Sequence, residues 1–223
     1  EQAAGICLKE EYQPSLLGGF QEVHTDLEKA DRVYQAIRRK ISYMDLRRIY
    51  KCFLSTVPDK EMILLRYIVL GFHIGSGISK LHGNPDVFAA QEIEKKINVE
   101  AERMRQFVRF SVMQGDILYA RIEPDHDVLE LIGDHFSDRF RNDPFLIHDV
   151  RRSKAMAGYQ GKWYVTSFAE NDVPEESEEE KEYQALWQKY FDHIAIKERK
   201  NSNCQRNFMP LRYRKHLTEC QMR

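Results

Sequence analysis

Cysteine is scarce and scattered in this chain of 223 residues: Cys7, Cys52, Cys204 and Cys220 lie 45, 152 and 16 positions apart. That spacing makes neither a zinc site nor a secreted disulfide framework, so reduced thiols in a cytoplasmic protein are expected. An excess of one charge is lacking too. Thirty-four lysines and arginines meet thirty-five aspartates and glutamates, a net charge of −1. No global field therefore draws the chain to nucleic acid or membrane, and any such binding has to come from a local patch. No run of 18 apolar residues is present, and Met62–Leu65 and Tyr67–Leu70 are split by Arg66 and stop at Gly71. This predicts a core helix and no membrane partner. There is no signal peptide and no starting methionine, so a segment ahead of Glu1 is expected. The glycines of Gly71–Gly77 lack the Gly-Lys-Ser/Thr of a phosphate loop and follow a helix rather than a strand. Serine and cysteine nucleophile motifs are missing, as is the Cys-x3-Cys-x2-Cys set that holds an iron–sulfur cluster. No cofactor is expected.

What is present is 42% hydrophobic residues and 11% aromatics, enough for a folded protein with a sizeable core. Residues 1–24 read as an irregular segment broken by Pro14 and Gly18-Gly19. Residues 25–106 read as a helical layer. Thr25 and Glu28 form a capping-box pattern ahead of Leu27, Ala30, Val33, Tyr34, Ile37 and Ile41 on one face. A second helix precedes Pro58, and a third covers Lys60–Ile74. Asn84-Pro85 opens a fourth that ends near Ile97, and Asn98 caps a further one through Arg105.

The period then changes. Val108, Phe110 and Val112 alternate with polar residues, Gly115-Asp116 turns, and Leu118, Ala120 and Ile122 alternate again, which predicts a β-hairpin. A helix over 126–140, a buried strand Phe145–Val150 and a last strand Trp163–Phe168 complete residues 107–168. The expected class is α+β: a helical N-terminal layer, a small antiparallel β-β-α-β-β sheet and a C-terminal helix packed on it, in one compact domain. In residues 169–223 an acidic stretch, with eight acids between 170 and 182, reads as a solvated linker becoming the first turn of that helix. Leu186, Trp187 and Tyr190 are expected to bury against the body.

The tail from Lys197 to Arg223 has eight bases and two acids, a local +6. Its bases, with Phe208 and Tyr213 among them, suit phosphates and exposed nucleobases, so Lys197, Arg199, Arg206, Arg212, Tyr213 and Lys215 are candidate DNA-binding residues. Pairing with the preceding acidic run, or with a protein partner, explains the same composition. Arg151 and Arg152 extend the basic surface if they share a rim with the tail. Pro210 is expected to open a short helix or turn that puts Arg212 and Lys215 on one face. A second group, His126, His148 and Asp149, is the candidate catalytic set, because imidazole and carboxylate can exchange protons or hold a metal. His126 and His135 are nine apart and point oppositely on an ideal helix, so no metal site is assigned.

Several blocks in order carry a family resemblance. They are Glu11-Tyr12-Gln13-Pro14-Ser15-Leu16, Ile122-Glu123-Pro124-Asp125-His126, His135-Phe136 with Arg139-Phe140, and Ile147-His148-Asp149 with Arg151-Arg152. Ile196-Lys197-Glu198-Arg199-Lys200-Asn201 and the closing Phe208–Glu219 follow. Together they resemble a bacterial domain-of-unknown-function family linked to DNA repair or DNA metabolism. The resemblance implies a DNA partner bound through its backbone, a radical-SAM protein encoded beside it, and uracil-DNA-glycosylase-like domains fused to some relatives. It also implies a further segment at the front. This chain has neither the Gly-rich water-activating loop nor the His-Pro-Ser loop of a glycosylase, and it has Arg214 where relatives commonly have Trp. The expected role is a DNA-binding accessory factor acting with the radical-SAM enzyme. A hydrolase or lyase using His126, His148 and Asp149, and a protein adaptor without catalysis, are the alternatives.

Overall fold

The computed structural model describes residues 5–7, 9–12, 19–173, 175–194 and 201–217. The chain packs as two units, residues 1–98 and 99–223.

The first unit is helical, with α1 at Leu27–Lys40, α2 at Tyr43–Phe53 and α3 at Lys60–Ile74. The cap of α1 is Asp26 rather than Thr25, its carboxylate accepting the Lys29 N–H at 3.0 Å. Ser42 caps α2, its hydroxyl accepting the Asp45 N–H at 3.0 Å and donating to the Asp45 carboxylate. Asp45 is buried and also accepts from Tyr67 Oη, Ser79 Oγ and Arg48 Nη1 at 2.6, 2.9 and 2.8 Å. Cys52 is buried, donates to the Ala90 carbonyl, and has its thiol pushed up to about 12 by burial, so it is an inert core residue. Lys60–Lys80 is long and apolar enough to cross a membrane by length and composition. Against the expectation of a core helix, α3 buries only one side: Leu64, Tyr67 and Gly71 are buried while Leu65, Val69 and Phe72 are exposed.

Helix α4, Pro85–Phe107, is continuous, and the boundary between the two units falls inside it. Asn84 caps it through the Asp86 and Val87 N–H groups. Asn98 does not interrupt it, because the buried series Val87, Ala90, Ile93, Ile97, Ala101 and Met104 runs through that point without a break.

The second unit holds a five-stranded sheet in the order β1-β2-β3-β4-β5. The strands are β1 Ser111–Met113, β2 Ile117–Ile122, β3 Phe145–Asp149, β4 Lys154–Tyr159 and β5 Lys162–Ser167, and helix α5 is Leu129–Arg139. The sheet is mixed, not antiparallel: β2 and β3 run parallel, with Arg121 beside His148 and Ile122 beside Asp149. The cause is the α5 crossover between them, since a chain that returns through a helix re-enters the sheet in the same direction. Strand β4 is the element that alternation did not reveal. Its Lys-Ala-Met-Ala-Gly-Tyr sequence lacks β-branched residues because neighbours fill the space: the Phe145 ring occupies the position of a Gly158 side chain. The hairpin turns use residues at positive φ, Gly115-Asp116 and Gln160-Gly161.

Alternate residues face opposite sides. Ala120, Ile122, Phe145, Ile147 and Met156 are buried on the side of α5, where Gly133 lets the helix approach the Trp163 ring closely. Tyr119, Arg121 and His148 face the other side. There the acidic segment crosses the sheet as a strap instead of lying free in solvent as a linker. The Phe168 N–H donates to Ser153 O, Glu170 pairs with Arg121 Nη2 at 2.6 Å, and Glu175 O and Ser177 N–H bond Gln114 and Val112. Helix α6, Glu178–Ile194, follows with the expected acidic first turn. It is fastened by that turn, Glu180 accepting the Val112 N–H and Gln184 donating to Ser111 Oγ. Its Leu186, Trp187 and Tyr190 are exposed, which corrects the expectation that they pack on the body. A short α7, Ser202–Phe208, and a 3-10 turn at Leu211–His216 complete the described chain, with Pro210 immediately ahead of that turn.

Candidate functional site

Parallel pairing of β2 and β3 brings their carboxyl ends side by side, the position where open sheets commonly place sites. Two loops leave from there: Glu123–Val128 after β2, and Val150–Ser153 after β3. The first loop is held from both sides. Glu100 of α4, almost fully buried, accepts the Asp125 and His126 N–H groups at 2.9 and 2.7 Å. Arg152 donates to the carbonyls of Pro124 and Asp125 and places its other contact, 2.8 Å, on Asp149 Oδ2. Asp149 is fully buried and also accepts the Arg151 N–H. Burial raises its carboxyl above the usual range, opposed by the Arg152 guanidinium.

The 3-10 turn closes the site. In a helix of three residues per turn Arg212 and Lys215 eclipse, so both face the same way. Arg212 pairs with Asp125 and donates to Tyr213 Oη at 2.8 Å, while the Tyr213 hydroxyl donates to Glu100 at 3.0 Å. The Arg212 guanidinium also lies over the Tyr213 ring, 4.8 Å from its centroid. Lys215 and His216 both reach Glu123, at 2.5 and 3.1 Å. Glu123 is held below the usual carboxylate range, chiefly by the Lys215 hydrogen bond. Between this turn, the end of α4 and β2 lies a cleft with an apolar side of Met104, Phe107 and Val108 and a polar side of Arg121, Arg212 and His216.

The candidate DNA-binding residues Arg151, Arg152, Arg212, Tyr213 and Lys215 therefore meet in one place, although 60 positions separate Arg152 from Arg212. Arg152 serves mainly to fix the loop, its side chain being only 16% exposed. Arg206 lies on α7 and donates to Asn203. Lys197 and Arg199 lie outside the described residues. Of the tail bases, Arg212 pairs with Glu100 and Asp125, and Lys215 with Glu123.

The candidate catalytic residues do not converge. His148 and Asp149 are consecutive on β3, so they project to opposite faces of the sheet. Asp149 joins Arg152, whereas His148 meets Tyr119 Oη at 2.8 Å through Nδ1 and the Phe168 ring at 4.9 Å. His126 belongs to the loop cluster, in the field of Glu100, Asp125, Arg152 and Arg212. Among the described residues no group of three or more His, Cys, Asp or Glu side chains has a metal-holding arrangement. Glu100 and Arg121 belong to no motif read from the sequence, and Glu123 and His216 stand there only inside the family blocks. Glu100 did leave a signal, since it falls among Ile97, Ala101 and Met104 on the buried stripe of α4.

Residues 58–219 match the family described as a domain of unknown function, DUF4130, and the chain belongs to that family. No curated protein and no solved structure matches it.

Burial also sets a pH response. His126, His148 and His216 are all held below the ordinary imidazole value, desolvation being the main cause in each. As pH falls below about 6.5 the unfolded chain takes up protons that these folded side chains refuse, so stability falls. Urea denaturation at pH 7.0 and 5.5 is expected to show a loss of up to about 1.4 kcal/mol for each histidine that stays neutral. His148→Gln should shrink the difference between the two pH values. A midpoint that does not move with pH would contradict this account.

Proposed function

We propose that this protein binds DNA through its phosphate backbone and serves DNA repair or DNA metabolism as a cytoplasmic accessory factor beside a radical-SAM enzyme. Its substrate complex would include a uracil-DNA-glycosylase-like domain where the two are fused. The observation that carries the DNA-binding part is the gathering of Arg151, Arg212 and Lys215, distant in sequence, on one rim. Their side chains are 57, 48 and 63% exposed, and each is joined to a carboxylate. Exposed pairs of this kind hold by only about 0–1 kcal/mol, so a phosphate can take the place of the carboxylate at little cost. Tyr213 and the buried Glu100 fix the backbone from which Arg212 and Lys215 project. Nothing in this arrangement reads base edges, so sequence-independent, salt-sensitive binding is expected. The enzymatic partner is supported by the sequence resemblance.

Fluorescence anisotropy on single- and double-stranded oligonucleotides across a salt series tests the reading. Replacing Arg151, Arg212 and Lys215 together by alanine is expected to reduce the salt slope by roughly two to three, one step for each phosphate released. An unchanged slope, with an unchanged melting temperature, would remove this rim from the DNA contact. The exposed apolar stripe of α6 favours a second reading, a protein adaptor. That reading gains if the wild-type chain binds no oligonucleotide at all.

A further inference from the structure

We infer that Arg121 anchors a phosphate-binding subsite in the cleft beside the 3-10 turn, and that Glu170 of the strap occupies this subsite at rest. The inference rests on the nucleic-acid reading above and deepens it. Arg121 stands near the end of β2 and faces the strap side of the sheet. Its Nη2 is bound to Glu170, but its Nε is buried and has no hydrogen-bond partner among the described residues. Leaving a buried donor unmet is unfavourable, so an acceptor that reaches Nε is favoured. The Nε and Nη2 hydrogens of a guanidinium point the same way as a fork, and two oxygens of one phosphate match that fork. Glu170 meets only one prong.

The surroundings suit an anion better than a count of charges suggests. Glu123, the acid on this cleft, is already taken up by Lys215 and His216. Glu100 is taken up by two backbone N–H groups and Tyr213, and Asp125 by Arg151 and Arg212. Arg212 and His216 line the cleft from the 3-10 turn, and Arg121 lines it from β2, so an oxyanion there meets cationic or hydrogen-bonding groups from two elements. The competing carboxylate is the weak one. Glu170 is 55% exposed and sits on a connecting strap, so a phosphate can displace it without opening the core. Phosphate groups of a nucleic-acid backbone and of a free phosphorylated molecule share this chemistry.

The test uses the full chain and an oligonucleotide of roughly 12 nucleotides, followed by anisotropy. Glu170→Gln is expected to tighten binding roughly fivefold, because it removes the resident competitor. Arg121→Gln should weaken binding and abolish the gain when combined with Glu170→Gln. Glu179→Gln, the same charge change on α6, should give no comparable gain. Equal gains from Glu170→Gln and Glu179→Gln would overturn the inference, as would a gain that survives Arg121→Gln. If Arg121→Gln fails to fold, Arg121→Lys keeps the charge, lacks the fork, and should lose the same gain. If the wild-type chain binds no oligonucleotide, the nucleic-acid reading fails by itself. Pyrophosphate titration by calorimetry then judges the subsite. Saturable binding that Glu170→Gln tightens and Arg121→Gln removes sustains it for a free phosphate compound, and no binding ends it.

Discussion

Glu100→Ala is expected to lower the free energy of unfolding by about 3–5 kcal/mol, a large share of what holds a domain together. The change is neutral for a helix, since alanine is the best helix former, so the loss reports tertiary contacts. Glu100 accepts from Asp125 N–H, His126 N–H and Tyr213 Oη, and it is only 2% exposed. Removing it strands two backbone donors and a phenol away from water, at about 1–3 kcal/mol for each group left unmet. It also deprives Arg212 of a neighbouring charge at 3.7 Å. The Glu123–Val128 loop would then lose its inner support while keeping Arg152. Glu100→Gln retains one acceptor oxygen and should lose less than alanine does. Urea unfolding monitored by fluorescence measures both, and a loss below about 1 kcal/mol for alanine would show that the loop does not depend on this carboxylate.

In the helical unit the matching position is Asp45. Asp45→Ala is expected to cost about 3–4 kcal/mol. Four groups donate to that carboxylate: Ser42 Oγ, Arg48 Nη1, Tyr67 Oη and Ser79 Oγ. Arg48 keeps Glu94 at 2.6 Å and stays satisfied. Tyr67 is fully buried, and burial raises its phenol far above the ordinary value, so its hydroxyl stays protonated and keeps donating to Asp45. It retains only its contact from Arg48 once Asp45 is gone. The Ser42 hydroxyl loses its carboxylate acceptor but still caps α2 through the backbone N–H of residue 45. Asp45→Asn keeps one acceptor and should recover about half of the loss. Equal unfolding midpoints for wild type and Asp45→Ala would refute the account.

The sequence made some of this legible and hid the rest for identifiable reasons. Helix α3 has the bounds expected of it, Lys60–Ile74, and the Gly115-Asp116 turn fixes the first hairpin. His148-Asp149 is a buried, partnered pair, as a buried strand requires. Arg212 and Lys215 share a face after Pro210 because three-residue spacing repeats in either kind of helix. What the sequence hid is long-range. The segment Phe145–Val150 reads as a buried strand, but the sequence does not tell which neighbour it pairs with, and the parallel partner follows only from the α5 crossover. Strand geometry implies that His148 and Asp149 part company, a point that adjacency in the sequence obscures. A charge run such as 170–182 reads as solvated because its partners, Arg121 and the backbone of Val112 and Gln114, lie more than 45 positions away.

The strap has a consequence for how copies of this chain meet one another. Strand β1 ends the sheet, and an uncovered edge offers its amides to any passing strand. Here Gln114 and Val112 give those groups to Glu175, Ser177 and Glu180. The edge is thus occupied by the chain's own acidic segment, and an incoming strand would have to expel glutamates and approach their neighbours Glu176, Glu178 and Glu179. With a net charge of −1, the molecule has almost no overall repulsion to keep it dispersed. The concentrated charge beside β1 supplies locally, at this edge of the sheet, what the whole molecule lacks.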